Sequence, residues 1–433
     1  MQINTVTVLG ANGTMGRNVS AIFASFGKAK VYMMCRSLDK AKQASKKAVQ
    51  SVRAESIQER LIPVTYEDIS KCISESDLVF ESLTEDFKVK QQMYKRITPY
   101  LKKDAIIATG TSGLSIQTLS DVFDQPYKNR FFGIHMFNPP YSLTLCELIS
   151  YVESQEKLSD NLKEYLDKSL CRTVIQVKDK PSFLGNRIGF YFIGEALQLA
   201  EKMKDAGGID YVDAILGSFT GRSMAPLVTA DFVGLDVTKS ILDYIYQNSE
   251  DVYQNAFKST QYLTELIDKK WFGKKTNKGF YYKDKDRNLT YVYDIKQRNY
   301  RPVNNYQFYF SNEMISCFKT GKYKDGINIL IDDESTEAIL CKQMLLKYIL
   351  YAIKISIEVG SNIADCDDAM ATGFSWIPPF ALIDLFGGVD IIYALSKKYL
   401  SQEIYSIFTN PSVRTRLPIQ SKYDYRPFIK AKY

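Results

Sequence analysis

Apolar residues alternate with polar ones in "TVTVLG", Thr5 to Gly10, and then recur at three- and four-residue spacing as far as Phe26. A period of two marks a strand with one buried face, and a period near 3.6 marks an amphipathic helix. The strand-like pattern returns in "AKVYMMC", "SDLVFES", "DAIIATG" and "RFFGIHMF", each separated by helical stretches, through residue 135. Strands that alternate with helices predict a parallel, doubly wound α/β sheet with a nucleotide site at the carboxyl ends of its strands. From about Pro181 the spacing becomes helical, as in "NRIGFYFIGEALQLAEKM", and strand signals fade until "GFYYK" at 279–283. This predicts a second, all-α domain. The section from 284 to 335, rich in Tyr, Asn, Lys and Asp, reads as an extended connection with one hairpin. A weak internal repeat links 201–236 to 358–390 through matching Glu, Asp-Ala, Pro and Gly-x-Asp landmarks, so a second copy of the helical unit is expected. The expected domains are therefore 1–180, 181–283, a connecting segment 284–340, and a helical half-repeat 341–433.

A chain of 433 residues exceeds what one hydrophobic core usually organises, which agrees with several domains. The net charge of +7 is dispersed along the chain without a long basic block, which suits a solvated surface and fits an anionic small molecule as well as a nucleic acid; no nucleic-acid partner is expected. Seven cysteines include no C-x-x-C pair, which argues against a disulfide framework and a zinc site and for a reducing compartment. No apolar run reaches about 18 residues, and the N-terminus runs straight into a strand, so a soluble, cytoplasmic protein without membrane contact is expected.

The first strand leads into glycines at Gly10, Gly13 and Gly16, spaced G-x-x-G-x-x-G, with Asn12 where the dinucleotide fingerprint has its second glycine. Small residues there let the backbone approach a pyrophosphate at a helix N-terminus. The second strand ends at Cys35, followed by Arg36 and Ser37, where an acid ordinarily holds the ribose of NAD. Without that acid a 2′-phosphate is not repelled, and Arg36 can pair with it, so NADP stays open beside NAD. His135 is the only histidine in the chain, and it stands twelve residues ahead of Glu147.

Six further motifs, "SDLVFESLTEDFKVK", "TGTSGLSI", "RFFGIHMFNPP", "LCELI", "VKDKPSFLGNRI" and "FGKKTNKGFYY", follow one another in an order that resembles the L-3-hydroxyacyl-CoA dehydrogenase family. The resemblance covers roughly 3–283, and the repeat at about 341–425 resembles the extra C-terminal unit of longer members. It implies a Rossmann-like N-terminal domain, an all-α C-terminal domain and an enzyme that moves a hydride between NAD and an L-3-hydroxyacyl thioester in fatty-acid metabolism. By resemblance His135 is the catalytic base and Glu147 its orienting acid. A base that takes the hydroxyl proton while the hydride leaves is what such an oxidation needs. Asn186 and Ser112 then hold the substrate, with Ser112 also touching the nicotinamide; Glu85, Lys90, Asn138 and Lys275 engage the cofactor alongside Gly10, Asn12, Gly13, Gly16 and Arg36.

The chain departs from the family at Cys35, at Gly110 (usually Asn), at Gly113 (usually Ser) and at Thr144 (commonly Lys). The stretch between Cys35 and Glu85 is also shorter than usual. CoA and acyl carrier protein both remain as carriers, and a relative acting on a small hydroxy acid is a second reading. A third is a non-catalytic dinucleotide-binding partner of an enoyl-CoA hydratase. The resemblance also implies a homodimer, with such a hydratase as a further partner.

Overall fold

A computed structural model describes residues 1–430 apart from 152, 153, 252, 285, 287 and 418. The chain divides into two compact units, Met1–Phe183 with Val359–Ser361, and Leu184–Glu358 with Asn362–Tyr433.

The first unit is built on eight strands: β1 (Thr5–Leu9), β2 (Lys30–Cys35), β3 (Leu61–Thr65), β4 (Leu78–Glu81), β5 (Ile106–Thr109), β6 (Phe131–Met136), β7 (Leu145–Ser150) and β8 (Thr173–Lys178). They lie in the order β3-β2-β1-β4-β5-β6-β7-β8. The helices are α1 (Thr14–Ser25), α2 (Leu38–Val52), α3 (Ile69–Glu75), α4 (Phe87–Ile97), α5 (Ile116–Ser120) and α6 (Glu156–Glu164). The first six strands run parallel, and the order reverses direction between β1 and β4, which opens a crevice at their carboxyl ends. Central strands read as unbroken apolar runs because both faces are covered: all six residues of β6 are buried. Val8, Phe23, Met33, Phe80, Ile134 and Leu148 meet in one core.

Beyond residue 135, where the alternation read from the sequence ends, β7 runs antiparallel to β6. The connection between Met136 and Leu145 is too short for a parallel crossover, which takes a dozen or more residues, so the chain can only turn back. That reversal sets the register of the site described below.

The second unit carries α7 (Gly185–Lys202), α8 (Ile209–Ile215), α9 (Pro226–Val233), α10 (Leu235–Asn248) and α11 (Gln261–Asp268). An antiparallel sheet of β9 (Tyr281–Asp284), β10 (Leu289–Asp294) and β11 (Asn299–Pro302) follows. The stretch expected to be an extended connection holds this hairpin and two helices as well, α12 (Tyr309–Lys319) and α13 (Tyr323–Asp332). Phe310, Met314 and Phe318 recur at helical spacing there and are buried, a period masked by the polar residues around them. The repeat is visible as structure: α14 (Thr336–Glu358), α15 (Asp365–Ala369), α16 (Pro379–Phe386) and α17 (Val389–Tyr399) follow the order of α7 to α10. In both copies a buried aspartate caps the proline-started helix. Asp213 accepts from the amides of Leu227 and Val228 (2.9 and 3.1 Å), and Asp367 accepts from that of Phe380 (2.8 Å).

Candidate functional site

The glycine loop joins β1 to α1. Gly10 takes the left-handed angle of the turn, at φ +79°, and a side chain there would sit 2.5 Å from the Ser82 carbonyl. A Cβ on Gly16 would lie 2.5 Å from the Gly10 carbonyl, so the helix packs directly on the turn. Gly13 differs: it is the extended N-cap of α1, and a Cβ would meet nothing nearer than 3.4 Å. That cap has no side-chain hydrogen bond and the first turn has no acid, which leaves the helix's first amides and positive dipole end for an anion. These residues fit the pyrophosphate of a dinucleotide. Asn12 does not have positive φ, so the left-handed conformation falls on Gly10 alone.

Cys35 ends β2 fully buried, and burial pushes its thiol up; Asn12 offers it a backbone hydrogen bond. Arg36 follows on the exposed surface, and Ser37 caps α2.

At the ends of β4 and β5 lies a charge network of which sequence reading named Glu85, Lys90 and Ser112 but not Glu81 at its centre. Glu81, completely buried, accepts from Lys90 Nζ through both oxygens (2.9 and 3.0 Å). It also accepts from the Tyr94 and Thr109 hydroxyls (2.8 Å each) and from the Leu83 amide (2.5 Å). Desolvation and the Glu81 charge push the Tyr94 hydroxyl well up, so it stays a donor. Lys90 is buried too and reaches Glu85 at 3.3 Å. The other oxygen of Glu85 accepts from the Thr111 hydroxyl (2.5 Å) and the Ser112 amide (2.8 Å). Lys90 thus holds Glu85, which in turn holds the loop of Ser112. At Gly110 in that loop a Cβ would meet the Phe80 ring at 2.9 Å. The one signal in the sequence was an acid closing the apolar run "LVFE".

The histidine lies on β6 directly opposite Glu147 on β7. Paired antiparallel residues share a face, and Nδ1 of His135 stands 2.6 Å from Oε2 of Glu147. Glu147 is fully buried and His135 is 6% exposed. The rings of Phe137 and Phe183 pack on the imidazole, with centroids 4.7 and 5.7 Å away. A buried carboxylate on Nδ1 fixes the tautomer and leaves Nε2 as the proton acceptor, in walls that limit the ring's motion. Asn138 stands two residues beyond the end of β6, and its side-chain oxygen accepts from Asn18 of α1 at 3.2 Å. The asparagine after the histidine is thus tied to the helix that begins at the glycine loop.

Within this unit the structure gathers two groups: the His135 pair with Asn138, and Glu85 and Lys90 with Ser112. Asn186 and Lys275 belong to the second unit. Asn186 is buried in the first turn of α7, beside Arg187, whose guanidinium pairs at 2.6 Å with buried Asp251. Lys275 pairs with Asp236 at the start of α10. Among the described residues no group of His, Cys, Asp or Glu is arranged to hold a metal.

Comparison with known proteins matches the NAD-binding domain of 3-hydroxyacyl-CoA dehydrogenase over residues 5–180 and the C-terminal domain of that enzyme over 183–283. A 3-hydroxybutyryl-CoA dehydrogenase of Bradyrhizobium diazoefficiens is 30% identical over 291 residues, 64% of this chain and 95% of the relative. A Rickettsia felis protein named as a trifunctional enzyme of a fatty acid oxidation complex is 26% identical over 400 residues, 89% of this chain and 53% of its own. The chain thus spans about half the length of the longer curated relatives it matches. The crystal structure of an Escherichia coli 3-hydroxybutyryl-CoA dehydrogenase has the same fold over 96% of this chain and 98% of its own, at a TM-score of 0.70 and 19% identity. With both domain matches in sequence order, the chain belongs to the 3-hydroxyacyl-CoA dehydrogenase family, and its N-terminal domain is that family's NAD-binding domain.

Proposed function

We propose that the protein interconverts L-3-hydroxyacyl and 3-ketoacyl thioesters. The observation that carries this reading is the buried His135–Glu147 pair on adjacent strands of a dinucleotide-binding sheet. When bound, NAD supplies the hydride acceptor in oxidation and, reduced, the donor in the reverse direction. The chain's own task is the proton. Nε2 of His135 takes the hydroxyl proton of the substrate as the alcohol becomes a ketone, and the resulting imidazolium is stabilised by Glu147 through Nδ1–H. In the reverse direction the same nitrogen returns the proton. Asn186 helps hold the substrate, Ser112 touches both substrate and nicotinamide, and Glu85 with Lys90 keeps the Ser112 loop in position. Gly10, Asn12, Gly13 and Gly16 seat the pyrophosphate, Arg36 is the residue to pair with a 2′-phosphate if NADP is used, and Asn138 and Lys275 complete the cofactor contacts.

Absorbance at 340 nm tests the reading. The protein should consume NADH with acetoacetyl-CoA or longer 3-ketoacyl-CoAs. If it binds NADH yet turns over none of them, nor their acyl-carrier-protein thioesters, the substrate class is wrong.

A homodimer and an enoyl-CoA hydratase partner belong to the same proposal. The trifunctional name of the Rickettsia relative, and the half of its length that this chain does not match, support the second. Light scattering, and retention of hydratase activity on the immobilised chain, test them. Seven free cysteines, five of them buried, support a reducing, cytoplasmic setting. Among the described residues no single helix is long and apolar enough to cross a membrane.

A further inference from the structure

Strand β8 is the last in the sheet, and the chain that leaves it touches both halves of the site. Asp179 accepts from the Ser115 hydroxyl (2.9 Å) and from the amides of Ile116 and Gln117 (3.0 and 2.9 Å), so it anchors the segment that follows the Ser112 loop. Four residues on, Phe183 packs against the ring of His135. Between them Ser182 and Phe183 take left-handed backbone angles, φ 58° and 54°, which non-glycine residues adopt only when their surroundings enforce it. Something must hold the start of this segment.

What holds it comes from far along the chain. Val177 pairs antiparallel with Gly360, and the Lys178 amide donates to the Val359 carbonyl at 2.8 Å. Val359 is completely buried, and Val359–Ser361 belong to the same compact unit as the sheet.

We propose that Val359–Ser361 is a positioning element for the His135 site. It clamps the end of β8 and so fixes Asp179 against the Ser112 loop and Phe183 against the imidazole. These residues touch neither substrate nor cofactor; they act through the 178–183 segment. The kinetic part of this inference rests on the dehydrogenase reading, and the structural part does not.

The test removes one backbone donor. Lys178→Pro deletes the amide that reaches Val359, on the side of β8 that faces away from β7, so the ladder inside the sheet keeps its hydrogen bonds. Lys178→Ala keeps the amide and removes only the side chain. The expected result is kcat within two-fold of the parent for Lys178→Ala and about ten-fold lower for Lys178→Pro. NADH affinity by fluorescence titration should change less than two-fold in both. Hydrogen exchange should show faster exchange across 179–183 in Lys178→Pro alone. Equal kcat in the two variants overturns the kinetic role. The parent needs no variant for a second arm: its Lys178 amide should be strongly protected, and exchange at the rate of a free amide overturns the clamp itself. If the parent binds NADH but reduces no 3-ketoacyl thioester, the dehydrogenase reading fails while the exchange arms still decide the clamp.

Discussion

A single imidazole in 433 residues concentrates the chemistry on one atom, Nε2 of His135. His135→Gln should leave the fold and NADH binding intact and lower turnover by about 10²-fold or more, measured by steady-state kinetics beside a binding titration. Glu147→Gln keeps the shape but removes the charge that stabilises imidazolium and favours the Nδ1–H tautomer. It should also lower kcat at least about ten-fold with NADH affinity unchanged; an unaltered kcat would remove Glu147 from the mechanism. Cys35 and Arg36 bear on cofactor choice. Cys35→Asp should raise the preference for NADH over NADPH about ten-fold in kcat/KM by repelling a 2′-phosphate, and Arg36→Ala should reduce any use of NADPH. Ratios that move less than two-fold in both variants would place these residues outside the ribose pocket.

At the scale of elements, the buried Glu81–Lys90 pair ties α4 to β4 and β5. Lys90→Met would strand a carboxylate in the core, at a cost of about 3 kcal/mol or more in denaturant unfolding. The repeated helix caps have a pH signature. Burial pushes Asp213 and Asp367 up to about 7 from 3.8. A carboxyl raised on folding binds a proton in the native state that the unfolded state has released, so its contribution to stability falls as pH rises from about 4 to about 7. Asp367→Asn can still accept from Phe380 and can donate to Ser421, so it should flatten the fall of unfolding free energy across that window. An unchanged slope would show that Asp367 does not titrate there. These caps also show what the sequence conveys. Strand–helix alternation, the repeat and the spacing of His135 and Glu147 are local patterns and were legible. The opposition of His135 and Glu147 depends on the reversal at β7, and Glu81 acquires its meaning only when α4 and β5 deliver Lys90, Tyr94 and Thr109 to it.

For the whole molecule, cofactor binding should appear as stability. NADH at about one hundred times its Kd adds about 2.7 kcal/mol to the folded state and should raise Tm measurably. A Cβ at Gly13 makes only ordinary contact with the Gly10 carbonyl at 3.4 Å, so the Tm of Gly13→Val without NADH should stay close to the parent's, while the NADH-induced rise should be lost because the side chain fills the pyrophosphate's approach. A full rise in the variant would move the cofactor off this loop. Family membership was legible at this scale because six motifs in order survive sequence divergence. The part played by Val359–Ser361 was not, since a three-residue pairing with β8 leaves no periodic trace. That pairing also bears on how the chain is made. A ribosome adding roughly 5–20 residues per second releases Phe183 on the order of ten seconds or more before Val359 emerges. During that interval the nascent nucleotide domain carries β8 with an unclosed rim of amides and carbonyls, the kind of edge that recruits foreign strands. The first unit is thus completed only when residue 361 arrives, long after its sheet has been made, and the end of β8 stays open to other strands until then.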